Sequence, residues 1–297
     1  MMRDMTAGEV VVEGPEVHRG WRRVLRRRDG RTPVWFELAV MAWLFWLYDV
    51  INNLAPTRRP LAIRDARGLL HFERSLGIDI EYAADHWLGA HSVLSFIATY
   101  YYFFAHVLVT VAVLALLWWL RPGVYPWMRT QLVLVNLIAF VVFWRYPVAP
   151  PRMLPGMGYE DVVASTHAVI SWDSATLVHE ADQFAAMPSL HIAWAVWSAL
   201  GIWQLAGRRR AVRGLGVLHV LLTSIVVIAT GNHWLLDVLA GCVTALGGVA
   251  LLRVAAYALA VRRRRVAAEL GEARPQRIGA RSGVALLRWP RGPESEA

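Results

Sequence analysis

The sequence predicts an all-α integral membrane protein of about six transmembrane helices. Three observations carry that reading. Hydrophobic residues make up 57% of the 297. The mean hydropathy is +0.39. Only 18% of residues are charged, and most lie outside the long apolar runs. This apolar share exceeds that of soluble domains and excludes a disordered chain, a coiled coil or a disulfide-stapled secreted module. Cys242 is the single cysteine and lies in an apolar run, so neither an intrachain disulfide nor a cysteine-based metal site is expected.

Taken in order, residues 1–32 form a polar tail with Arg22, Arg23, Arg26, Arg27 and Arg28 ahead of the first apolar run. That run, 34–53, lacks the small-residue cleavage site of a signal peptide and reads as an uncleaved span, since about 20 apolar residues cross a bilayer. Residues 54–90 are mixed. Asp65 is expected to cap a short helix whose Leu69, Phe72 and Leu76 share a face and which stops at Gly77. A second short helix is expected from Asp79 through Trp87, both interfacial. Further spans are predicted at about 91–120, 127–147, 188–206, 211–231 and 233–257. A polar stretch separates 147 from 187. From Arg262 the tail is Arg-rich, contains Pro and Gly, and is predicted to be disordered. The domain reading is therefore a basic tail 1–32, a membrane unit 33–258 and a second basic tail 259–297.

All 31 basic residues are Arg. Eight lie in the N-terminal tail, four in the 208–213 turn and nine from Arg262 onward, whereas 148–187 holds only Arg152 against five acids. The positive-inside rule then puts both termini in the cytoplasm and the long loop outside, in a plasma membrane. Arg clusters flanking apolar helices fit topology better than nucleic-acid binding.

Three clusters fall at the predicted outer face. The first is Arg145 and Arg152, joined by a proline-stiffened stretch; guanidinium groups bind phosphate oxygens well. Its plainer reading is an interfacial Arg145 and an ordinary loop charge. The second is Pro188, Ser189, Leu190 and His191, opening a span, where first-turn N–H groups and a hydroxyl make an anion site. The third is His233 and Asp237, four apart on one predicted helix face, with Thr230 and Asn232 beside them. A carboxylate on one imidazole nitrogen fixes the tautomer and leaves the other basic. That arrangement suits a nucleophile, or else a structural pair locking two helices.

Together these motifs resemble the type 2 phosphatidic acid phosphatase superfamily, whose pattern is Lys-x6-Arg-Pro, Pro-Ser-Gly-His and Ser-Arg-x5-His-x3-Asp. Arg145 and Arg152 keep the first spacing, with Arg for Lys and Met153 for Pro. Pro188, Ser189 and His191 match the second, with Leu190 for Gly. His233 and Asp237 match the end of the third, while Val226 and Val227 replace Ser-Arg. This combination looks like the branch containing inositol phosphorylceramide synthases, and it covers roughly 34–257.

The resemblance implies a lipid phosphate phosphatase without metal or cofactor, acting on a phospholipid or polyprenyl phosphate. His233 would form a phosphohistidine, Asp237 would orient it and His191 would protonate the leaving oxygen. Arg145, Arg152 and Ser189 would hold the phosphoryl oxygens, with Leu190, Thr230 and Asn232 as possible substrate contacts. The alternative is a head-group phosphotransferase using inositol or another alcohol. A rival of another class is a non-catalytic transporter or scaffold. His167, His179 and Glu180 lie in the long loop without zinc-protease spacing. Asp49, Glu37 and His106 are polar groups within spans, and Tyr100, Tyr101 and Tyr102 read as an interface belt.

Overall fold

The computed structural model describes residues 31–54, 59–166 and 186–269, without the side chains at 45, 48, 49, 51–54 and 269. The expectations for Asp49, His167, His179 and Glu180 thus lie outside the described residues.

The described chain is all-helical. Its helices are α1 (Val34–Leu54), α2 (Arg59–Leu76), α3 (Glu81–Gly89), α4 (Ser92–Leu120), α5 (Tyr125–Arg145), the short α6 (Val162–Ser165), α7 (Leu190–Ala206), α8 (Arg210–Ala229) and α9 (Leu235–Glu269), with a 3-10 turn at Pro151–Met153. Each of the six predicted apolar runs contains a helix. Four of these, α4, α5, α8 and α9, are both long and apolar enough to cross a membrane; α7 is apolar over 17 residues. The chain is a multi-pass membrane protein.

The bundle is built around α7, which packs on α4, α5, α8 and α9. The polarity of α4 shows how. It turns Ser95, Ala98, Thr99, Tyr102 and Thr110 inward and leaves Val93, Ile97, Leu108 and Trp119 on the outside. Apolar surface costs nothing against lipid tails, so small and hydrogen-bonding residues make the helix contacts. Thr110 and Ser198 meet hydroxyl to hydroxyl at 3.1 Å, and the Trp197 indole donates to the Met128 carbonyl at 2.9 Å. At the end remote from the site, Glu37 is paired: Arg129 Nη1 donates to its Oε1 at 2.7 Å.

The three consecutive tyrosines do not form one belt. Successive helical residues point about 100° apart, so Tyr100 stacks on Phe96 and Phe104, Tyr101 reaches His219 and Thr223 on α8, and Tyr102 turns inward to His191.

Two boundary expectations are corrected. Asp65 is not a cap: α2 begins at Arg59, and Asp65 sits inside it, paired with Arg64 at 2.8 Å. The buried face of α2 is Ala62, Asp65, Ala66, Leu69, Leu70 and Glu73, while Phe72 and Leu76 are exposed. Gly77 does end the helix. Its φ of +66° allows the Ile78 N–H to return to the Glu73 carbonyl and the Gly77 N–H to that of Arg74. Finally, α9 does not stop near 257 but continues through Arg262, Arg263, Arg264 and Arg265 to Glu269. Arg is a good helix former, and nothing there breaks the turn.

Candidate active site

The site lies where α7 and α9 begin. Ser189 is the N-cap of α7, its hydroxyl accepting from the Ile192 N–H at 3.4 Å. Pro188, after a cis bond to Met187, therefore stands before the cap rather than inside the helix, and His191 is the second helical residue. Helix geometry leaves the N–H groups of Leu190 and His191 without intrahelical acceptors. The two helices touch closely. The Ser189 N–H donates to the Asp237 carbonyl at 3.1 Å. A Cβ on Gly241 would come within 2.6 Å of the Ser189 oxygen.

His233 precedes α9 rather than sitting on its face, because the helix starts at Leu235. The pairing with Asp237 survives the shift. Asp237 folds back in the first turn: its Oδ2 accepts the Trp234 N–H at 2.9 Å and lies 3.4 Å from His233 Nδ1. That same nitrogen lies 3.0 Å from the Ala186 carbonyl. A carbonyl only accepts, so Nδ1 carries the proton and Nε2 keeps its lone pair. Trp234 anchors the segment, fully buried, with its indole donating to the Ala149 carbonyl at 2.9 Å. Around it pack Ala62, Ala66, Leu69, Leu70, Val148 and Leu154.

The His191 ring stands 5.5 Å from that of His233, stacked on Tyr102 at 4.4 Å. His106 lies behind it, ring to ring at 4.1 Å, donating Nδ1–H to the Tyr102 carbonyl. The sequence marked His106 only as a polar group in a span; the bundle makes it the third imidazole in a row.

Arg152 reaches the same place from the loop, its side chain only 6% exposed. Its Nε donates to Asn232 Oδ1 at 2.8 Å, and its Nη1 donates to Asp161 Oδ2 at 3.2 Å. Its backbone N–H is held by the Gly231 carbonyl. Gly231 has φ +64°, and a Cβ there would press on Asp85 Oδ1, the Glu160 carbonyl and Arg152. Asn232 spends its amide donors on Thr230, so Thr230 and Asn232 brace Arg152. Arg145 is different: it ends α5, exposed, with no hydrogen bond or ion pair to another described residue.

Sequence reasoning missed three buried acids. Glu81 Oε1 accepts the Leu235 N–H at 2.7 Å, and Glu73 Oε1 accepts the Leu236 N–H at 2.8 Å. Asp85 Oδ2 accepts the Glu160 N–H at 2.7 Å, and burial raises its carboxyl to about 6. The sequence carried no signal for them, because a helix start at His233 would have put Asn232 at the cap. Trp234 is at the N-cap of α9 instead and has no side-chain oxygen, so the first N–H groups of the helix needed acceptors from elsewhere. Among the described residues no three acidic, histidine or cysteine side chains converge as a metal ion would require.

Paired imidazoles, a buried carboxylate on one of them, a braced guanidinium and an open helix end are equipment for handling a phosphate ester. A family model described as the PAP2 superfamily matches residues 67–251, more than half of the chain. The chain belongs to the PAP2 superfamily. It is therefore a phosphatase- or phosphotransferase-type enzyme working on lipid substrates in a membrane. No curated protein and no solved structure matches it.

Proposed function

We propose that this PAP2-superfamily chain is a lipid phosphate phosphatase working through a phosphohistidine on His233, without a metal ion. The observation that carries the reading is the pinned tautomer. Nδ1–H is held by the Ala186 carbonyl and the Asp237 carboxylate, which leaves Nε2 as nucleophile.

Nε2 attacks phosphorus, and the bond to the lipid oxygen breaks. That oxygen takes a proton from the His191 imidazolium. In the second half-reaction His191, now neutral, removes a proton from water as its oxygen attacks, and the P–N bond breaks. The sum is ester plus water giving lipid alcohol plus phosphate. Arg152 and Ser189, with the N–H groups of Leu190 and His191, hold the non-bridging oxygens, and Arg145 supplies a second guanidinium near the entrance. Positioning and charge stabilisation carry most of such a reaction.

The membrane unit takes six spans, with both termini cytoplasmic and the site at the outer face of the plasma membrane. The Arg counts of the two tails against the 148–187 stretch support this orientation. A cysteine introduced at 155–158 then labels from outside in intact cells; labelling only after permeabilisation reverses the orientation.

Transfer to an alcohol is the second reading, favoured by Leu190 within the second motif and by Val226 and Val227 where Ser-Arg would stand. One experiment separates the readings. Purified protein in detergent is given phosphatidic acid, polyprenyl phosphates and diphosphates, and phosphatidylinositol, each with and without inositol or sugar alcohols, beside His233→Ala. Phosphate released by wild type and not by the variant supports the phosphatase. A phosphorylated product that needs the alcohol supports the transferase. A transport or scaffold role that survives His233→Ala overturns both.

A further inference from the structure

We propose that Glu73 and Glu81 are positioning residues that share one proton and, from two different helices, hold the first turn of α9 and with it His233 and Asp237. The part concerning catalysis rests on the phosphohistidine reading; the shared proton does not.

The geometry begins with the uncapped helix. Leu235 and Leu236 hold the first two N–H groups of α9, and each has one glutamate oxygen at 2.7–2.8 Å. These acceptors come from α2 and α3, outside the apolar spans. Both glutamates are fully buried. The Oε2 atom of each is buried as well, with no N–H or O–H donor among the described residues. Their Oε1 atoms serve adjacent N–H groups of one helical turn, which makes the two carboxyl groups neighbours.

Two ionised carboxylates in such a place repel, and both Oε2 atoms stay unsatisfied. A single proton between them makes one a donor and the other an acceptor. Burial, then the charges of Glu81 and Asp237, push the Glu73 carboxyl up to about 8 against the Leu236 hydrogen bond. Burial raises Glu81 too. The groups facing the pair agree with one negative charge rather than two. Asp237 and its partner His233 stand on the α9 side, and Asp79 and Arg74 at the α2–α3 turn. Tyr159, whose hydroxyl burial and Glu81 push upward, covers it from the loop.

The sign follows from the raised carboxyl. The folded state binds this proton more tightly than the unfolded chain, so stability declines from about pH 4.5, the ordinary glutamate value, and the contribution is lost as pH passes about 8. Above that, the pair repels, the first turn loosens and turnover falls.

The test uses the full chain in detergent with Glu73→Gln, Glu81→Gln and the double variant. Each single glutamine supplies the amide that the shared proton supplied, so each folds and keeps turnover within about tenfold. Glu73→Gln loses the component of the alkaline limb of the kcat profile that is centred near pH 8 and leaves the component set by His191. The double variant sets two amides face to face and loses at least about a further hundredfold beyond the product of the singles. Three readouts need no substrate. A wild-type minus Glu73→Gln infrared difference spectrum shows a protonated carboxyl band that disappears as pH passes about 8. Thermal unfolding of wild type weakens over the same range, and Glu73→Gln flattens it. A nitrogen-labelled histidine spectrum keeps Nδ1–H on His233 in the singles and loses that single tautomer in the double. No band at neutral pH, additive glutamine effects or an unchanged His233 spectrum in the double variant overturns the proposal. If no lipid phosphate turns over while band and spectrum behave as stated, the functional reading fails and the pair stands.

Discussion

Two helices begin at the candidate site, and their first turns are finished in opposite ways. The α7 end is capped by one neutral hydroxyl from its own chain, Ser189. The α9 end is closed by three carboxyl groups, Asp237 from within and Glu73 and Glu81 from α2 and α3. A helix N-terminus attracts anions through its free N–H groups and dipole. It does so only where no fixed anion already sits. On the proposed reading the arriving phosphate would go to α7, with α9 left the task of holding an imidazole.

Substitutions can break that division of labour. The largest effect is expected for His233→Ala, which removes the nucleophile and lowers phosphate release at least about 10⁴-fold. Asp237→Asn can keep an oxygen on the Trp234 N–H but removes the negative charge beside Nδ1. Turnover falls on the order of 10³-fold, read as kcat with the protein still folded. Arg152→Gln removes a braced guanidinium and costs about 10²-fold in kcat/KM. Ser189→Ala strips the α7 cap, lowering stability by ~1 kcal/mol in a denaturant titration. Without the hydroxyl, turnover also falls about tenfold. Arg145→Gln, at an exposed helix end, stays within about threefold. An Arg145 loss as large as that of Arg152 would mean the two arginines grip the phosphate equally.

The six apolar runs were legible because a membrane span is a composition before it is a fold. All six hold a helix, and α4 begins and ends within one residue of its expected 91–120. The His–Asp spacing was legible because the fold-back of Asp237 tolerates a helix start two residues late. What the sequence hid was the use made of 54–90. An amphipathic reading of α2 put Leu69, Phe72 and Leu76 on one face, yet the buried face runs through Asp65 and Glu73 and keeps only Leu69 of the three. Hydrophobic periodicity cannot find a face that buries carboxyl groups, because their partners are N–H groups far away in sequence. Likewise Arg145 and Arg152 look equivalent by spacing. Only the turn at Gly231 and the brace of Asn232 separate them.

The length of α9 has a consequence of its own. From Leu235 to Arg262 the helix rises about 40 Å, while hydrocarbon core plus head groups measures about 40–45 Å. In the proposed orientation, four arginines among the phosphates of one leaflet would set His233 at the head-group plane of the other. The helix is a ruler as much as a scaffold. Under the proposed function it would favour phosphate esters presented at that depth, and a thicker or thinner bilayer would shift the depth by changing the tilt of the helix.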